Sequence, residues 1–249
     1  MAKVERFEDL LEEAKADKNI IGLFLTGSRG KGFETENSDY DVDMVVKDKV
    51  AEEYKKKYEM HTSNIDLGVS SLSEFTKYAA WQSDYHWDRY NFTHVQALID
   101  TNGQIQKLID EKGSIPADKK EDFIRFNLDA YLNGFFRSVK SYIRNDKAGI
   151  LLEASGSIYD LLFAVFALHD RLAPFRDYLV RELEKYPLEK LSISTEEFLS
   201  YITNIMSTGD LNKQQELEKI IEKLFREEGY GKVFDDWGEK LPWAVNYNS

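Results

Sequence analysis

Apolar and polar positions follow two different rhythms along this 249-residue chain, and the change of rhythm divides it. Residues 19–26, NIIGLFLT, form a continuous apolar run ending at Gly27, the pattern of a short buried strand. Residues 39–46, DYDVDMVV, alternate acid with apolar or aromatic positions, which predicts a strand with one packed face. A surface helix is expected over 50–60 and a third strand over 64–70, NIDLGVS. Ser71 and Glu74 have capping-box spacing, so a helix should start there and run toward Trp81. A fourth strand is expected over 90–100, YNFTHVQALID, with a helix after it. Before all of these, residues 1–19 read as an amphipathic helix.

From about Asp118 the period becomes helical. Phe123, Phe126, Leu128, Tyr131, Leu132, Phe135 and Phe136 recur at helix spacing, and four further segments continue the pattern. Pro116, Pro174, Pro187 and Gly209 fall between segments as punctuation. Residues 112–118, KGSIPAD, have linker composition. The expected fold class is α+β, with a mixed-sheet domain over 1–115 followed by an α-helical bundle over 116–249.

Composition narrows the function. An apolar content of 42% with 31% charged residues describes a soluble globular chain. The formal net charge of −12 argues against tracking a nucleic-acid backbone, which needs a basic stripe. Zero cysteines exclude a disulfide framework, a thiolate nucleophile and Cys-ligated zinc. The N-terminus lacks a signal-peptide core, and Ile158–Leu168 is too short to span a bilayer, so a cytoplasmic protein without membrane attachment is expected.

One stretch stands out against that background. Asp39, Asp41 and Asp43 occupy every second position of the second strand, on one face and about 7 Å apart. Like charges on one strand face repel. A bound cation would remove that cost, and two such carboxylates can hold a pair of Mg²⁺ ions that clamp a phosphoryl displacement. Upstream, Gly27 and Ser28 open a turn where the backbone can approach a phosphate, with Arg29 and Lys31 adding charge. Asp66, on the next strand, is placed to supply a third carboxylate.

Gly-Ser, about ten spacer residues, then Ser-Asp-x-Asp on a strand resembles the signature of the nucleotidyltransferase superfamily, which includes DNA polymerase beta. The matching residues are Gly27, Ser28, Ser38, Asp39 and Asp41, with Asp66 in the position of the third acid. The resemblance covers roughly residues 19–70. In general layout the helical half looks like that of bacterial antibiotic nucleotidyltransferases. It implies attack on the α-phosphate of ATP or another nucleoside triphosphate, with pyrophosphate released. Gly27 and Ser28 would hold phosphates, and Asp39, Asp41 and Asp66 would hold two Mg²⁺. Asp43 departs from the family, which has an aliphatic residue there. The metal pair is therefore Asp39 and Asp41, or Asp41 and Asp43; the Ser38-Asp39 match favours the first.

The acceptor is expected to be a hydroxyl of a small molecule, an aminoglycoside-type compound being compatible with an acidic cleft. A protein side chain or an RNA end are alternatives, as is a non-catalytic nucleotide-sensing module. Asp66 is the first choice for general base, with Asp84 and Asp88 behind it. The segment WQSDYHWDRYNF, 81–92, either lines an acceptor pocket or packs the two halves of the fold together. Arg137 and Lys140, three apart on one helix, are candidates for the triphosphate, with Arg171 and Arg176 behind them. Whether the protein acts alone or as a homodimer is left open.

Overall fold

A computed structural model describes residues 6–248, and the chain divides into two compact units, Met1–Pro116 and Ala117–Ser249. The first unit runs α1 (Phe7–Ala16), β1 (Ile20–Leu25), α2 (Gly27–Lys31), β2 (Tyr40–Val46), α3 (Ala51–Tyr58), β3 (Met60–His61), β4 (Ile65–Ser71), α4 (Leu72–Lys77), β5 (Ala97–Asp100) and α5 (Gln104–Lys112). Its five strands form one sheet in the order β3-β4-β2-β1-β5. β2 and β4 are parallel, and the other pairs are antiparallel.

The alternation along β2 sorts its side chains between two cores. Val42, Met44 and Val46 enter one core with Leu23 and Leu67, covered by Leu10 of α1 and Tyr54 of α3. Val45 enters the other, with Phe24, Phe75, Phe92 and Ile105. Asp41 and Asp43 share the parity of Val45, so they project toward that second face. The acids are therefore not an outer edge of the sheet.

Three elements differ from the sequence expectation. The helix begun by the Ser71–Glu74 capping box stops at Lys77, well short of Trp81. Tyr78 is extended and Ala79 has a left-handed φ of 50°, while the Lys112 ammonium takes the carbonyls of Thr76 and Tyr78. Within 90–100 only residues 97–100 are strand, and His86–Phe92 forms a 3₁₀ turn. A two-residue strand, Met60–His61, also adds an edge to the sheet.

The second unit is helical: α6 (Lys120–Ile143), α7 (Lys147–Leu168), α8 (Leu179–Lys185), α9 (Thr195–Thr208), α10 (Leu211–Glu227), α11 (Gly231–Asp235) and α12 (Lys240–Val245). A three-residue link makes α6 and α7 antiparallel neighbours, and Asp146 caps α7 by accepting from the Gly149 N–H. Gly134 allows close approach, since a Cβ there would lie 2.8 Å from that of Ser157. The buried stripe of α6 is Ile124, Leu128, Tyr131, Leu132, Phe135 and Val139; Phe126 points outward instead. By length and composition α7 could cross a membrane. In this fold Ala154, Ile158, Leu161, Val165 and Phe166 bury it as a core helix.

Candidate active site

The short α2 helix begins where β1 ends, and its first residue has an exacting geometry. Gly27 has φ +55°, and a Cβ there would sit 1.8 Å from Asp41 Oδ2. The Asp41 carboxylate thus lies directly against the Gly27 backbone, which no other residue type permits. Thr26 joins the two segments: its N–H donates to the Asp41 carbonyl at 2.9 Å, and its hydroxyl donates to Asp43 Oδ2 at 3.2 Å. Gly30 is also required, because a Cβ would approach the Leu25 carbonyl oxygen to 2.1 Å.

Asp66 on β4 is the register partner of Asp41 on β2. Asp39 immediately precedes β2 and is exposed. Burial raises the pKa of Asp41, and the neighbouring Asp39 and Asp66 charges raise it further. Asp43 is pushed up to about 7, chiefly by burial, with Asp88, Asp41 and Asp66 adding repulsion against the favourable Thr26 bond. Asp66 also lies 2.6 Å from Nδ1 of the exposed His61.

A cavity of about 250 Å³ opens over this face, lined by Thr26, Asp41, Asp43, Asp66, Tyr78 and Asp88 among others. Among the described residues lining it there is no lysine or arginine. Asp88 is buried; Tyr78 donates its hydroxyl to Oδ2 at 2.6 Å, and the Asn91 amide donates to Oδ1. Burial raises the Asp88 pKa against those two bonds and the Lys31 charge. A second cavity, about 600 Å³, shares Asp43, Gly68, Tyr78 and Phe92 with the first and continues past Tyr85, Glu59 and Glu74.

The segment carrying Tyr78, Asp88 and Asn91 is fastened by three buried cations. Lys31 donates to the carbonyls of Tyr90, Asn91 and Thr93. Arg89 donates to those of Ala79, Glu111 and Ser114, and Lys112 to those of Thr76 and Tyr78. Burial lowers the Arg89 pKa to about 10 and that of Lys112 to about 8. Lys31 thus serves the fold rather than a phosphate. Its bonding partners lie some sixty residues away, beyond any local sequence signal.

The other sequence candidates are placed as follows. Ser28 is on the first turn of α2. Arg29 donates to the carbonyls of Ser38 and Asp39 and stacks 4.0 Å over the Tyr40 ring, so it orders the approach to β2. Ser38 uses its hydroxyl to accept from the Thr35 N–H at 2.9 Å. Asp84 is exposed and does not line the cavity, whereas Asp88 does. Trp81 and His86 pack edge to face, and burial lowers the His86 pKa. In the helical unit, Arg137 and Lys140 lie exposed on α6, and Arg137 is paired with Glu153 at 2.8 Å. Arg171 is committed to buried Glu182, and Arg176 lies 4.1 Å over Tyr159. Thr26, Tyr78 and His61 gave no signal in the sequence; Asn91 lies within the aromatic segment 81–92 without a signal of its own.

The acid cluster suits a hard divalent cation. Its donors are carboxylate oxygens, and their mutual repulsion is the cost a cation would relieve. Among the described residues no three acidic or histidine side chains form a closed metal cage. Magnesium does not require one, since it takes one or two carboxylates together with water and substrate phosphates.

No curated protein matches the chain. Among solved structures it is similar to a nucleotidyltransferase-like protein from Exiguobacterium sibiricum 255-15, at 12% identity and a TM-score of 0.38, covering 88% of this chain and 77% of that one. The nucleotidyltransferase domain family matches residues 7–90, from α1 through the cavity-lining Asp88.

Proposed function

We propose that the protein transfers a nucleoside monophosphate, AMP from ATP, to a hydroxyl of a small molecule and releases pyrophosphate. The observation that carries this reading is the pairing of Asp41 with Asp66 across two parallel strands, with Asp41 packed against Gly27. Asp39, Asp41 and Asp66 would hold Mg²⁺, which when bound supplies charge neutralisation to the phosphates. Gly27 and Ser28 hold the triphosphate at the start of α2, where helix geometry leaves N–H groups without intrahelical partners. Arg29 acts beneath them by fixing the Ser38–Asp39 backbone, and with it the first carboxylate. Thr26 fixes Asp43 beside the pair.

The acceptor body occupies the larger cavity, where the rings of Tyr78 and Tyr85, 5.0 Å apart, offer apolar surface beside Glu59 and Glu74. Lys55 lines the same cavity and pairs with Glu74 at 2.7 Å, so it is Glu59 and the adjoining acids of the smaller cavity that favour a polyhydroxylated amine of the aminoglycoside type over an anionic acceptor. The site lies in the first unit, and the helical unit serves as a second domain in a cytoplasmic enzyme.

Thermal melting tests the reading. Mg²⁺ with ATP should raise Tm more than either does alone, because each completes the other's site. Equal stabilisation by ATP with and without excess chelator would refute metal-dependent nucleotide binding.

A further inference from the structure

We propose that Asp88, held at the cavity wall by Tyr78 and Asn91, accepts the proton of the attacking acceptor hydroxyl. The inference rests on the nucleotidyl transfer proposed above and assigns the group that this reaction still needs. As the acceptor oxygen bonds to the α-phosphorus, the bond from that phosphorus to the bridging oxygen breaks. Pyrophosphate leaves with that electron pair, and the hydroxyl proton passes to an Asp88 oxygen.

Four carboxylates outside the Asp39–Asp41 pair could take that proton, and the geometry separates them. Asp84 is exposed and lies off the cavity. Asp66 stands in register with Asp41, and a cation held there would withdraw its charge and make it a weaker base. Asp43 sits on the same strand two residues after Asp41 and is bonded by Thr26. Of the three that line the cavity, Asp88 alone belongs to no strand; it comes from the His86–Phe92 turn and reaches the cavity from outside the sheet.

The turn around Asp88 is built to hold it still. The carboxylate is buried, and its two oxygens accept from Tyr78 and Asn91. Each carboxylate oxygen has two lone pairs, so each keeps one for the acceptor. Lys31 anchors the backbone carbonyls on either side of Asn91, fixing the turn from below. Tyr78 lines both cavities, so its bond to Asp88 places the proton-accepting group where the acceptor's hydroxyl would pass from one to the other. An in-line attack requires acceptor and pyrophosphate on opposite sides of the phosphorus, and a base outside the cation-holding sheet meets that requirement.

The test uses the full chain with water as acceptor. Pyrophosphate release from ATP and Mg²⁺ is measured at high protein concentration, alongside the Kd of α,β-methylene-ATP with Mg²⁺. Asp88→Asn keeps the shape of the side chain and should slow release about a hundredfold. It should leave the Kd within about twofold, the signature of an interaction made in the transition state. Tyr78→Phe keeps the ring and should slow release about tenfold through misplacement of Asp88. Wild-type release from Asp88→Asn would overturn the assignment. So would loss of nucleotide binding matching Asp41→Asn, which would place Asp88 on the cation side. An equal loss in Asp43→Asn with Asp88→Asn unaffected would move the role to Asp43. A wild type that binds the analogue yet releases no pyrophosphate would also overturn it. A wild type that binds no nucleotide would refute the transfer reading itself, and this assignment with it.

Discussion

Asp41 and Asp66 stand opposite one another in the parallel ladder between β2 and β4. Twenty-five residues apart in the chain, they become neighbours because the intervening α3 and β3 return the backbone beside β2 in the same direction. Two carboxylates on adjacent strands repel, and that stored repulsion gives the first prediction. Asp39→Asn or Asp41→Asn should leave the apo protein as stable as the wild type or more so, since one like charge is removed. Either change should reduce turnover about a hundredfold or more, as expected when transition-state charge stabilisation is lost. Melting curves and pyrophosphate release, measured on the same preparations, check both halves.

Gly27→Ala should behave in the opposite way. Its φ of +55° and the Asp41 oxygen 1.8 Å from the added Cβ leave no relaxed position for a methyl group. Strain at such a residue costs about 1–3 kcal/mol. Urea denaturation should show that loss, and Mg²⁺-dependent nucleotide binding should fall with it because Asp41 is displaced.

Lys31→Met tests the fastening of the cavity wall. It removes three charge-assisted bonds to buried carbonyls of the 90–93 segment. The cost should be about 2–4 kcal/mol, since hydrogen bonds made by a buried charged group are among the stronger ones. Hydrogen exchange should rise first over residues 86–93. Uniform exchange across the first unit would show that Lys31 supports the whole domain and not this wall.

A pH dependence follows from the helical unit. Glu218 on α10 is fully buried, and burial raises its pKa well above the usual 4.5. Tyr131 is the near group that favours its charge, Glu222 opposes it, and Arg226 adds weak attraction. Because the folded state holds this proton more tightly than the unfolded chain does, stability is greatest below the unfolded pKa and falls as pH rises through the folded one. Glu218→Gln should flatten that decline and raise Tm at alkaline pH. An unchanged slope in the variant would assign the decline to other groups.

Much of this was legible along the chain. The shared face of Asp41 and Asp43 and the turn at Gly27 could be read because strand alternation and glycine chemistry are local: neighbours in sequence fix which face a side chain takes. The change from period 2 to helical spacing near Asp118 likewise announced the second half of the α+β fold, since periodicity follows directly from burial. Asp66 could be proposed for the site, because a strand after a helix tends to return to the sheet.

The rest required tertiary structure. Helix α4 ends at Lys77 because Lys112, thirty-five residues onward, binds its last carbonyls, and a capping box specifies only a start. The same long-range bonding made Lys31, an apparent phosphate ligand in the sequence, a buried anchor like Arg89. Phe126 fits the helical period yet faces outward, because the stripe that packs is chosen by the neighbouring helix. Asp84 and Asp88 look alike in sequence, four residues apart in one aromatic stretch. Only the folded turn buries Asp88 beside Tyr78 and leaves Asp84 exposed, since a carboxylate's environment is set by what the distant chain places around it.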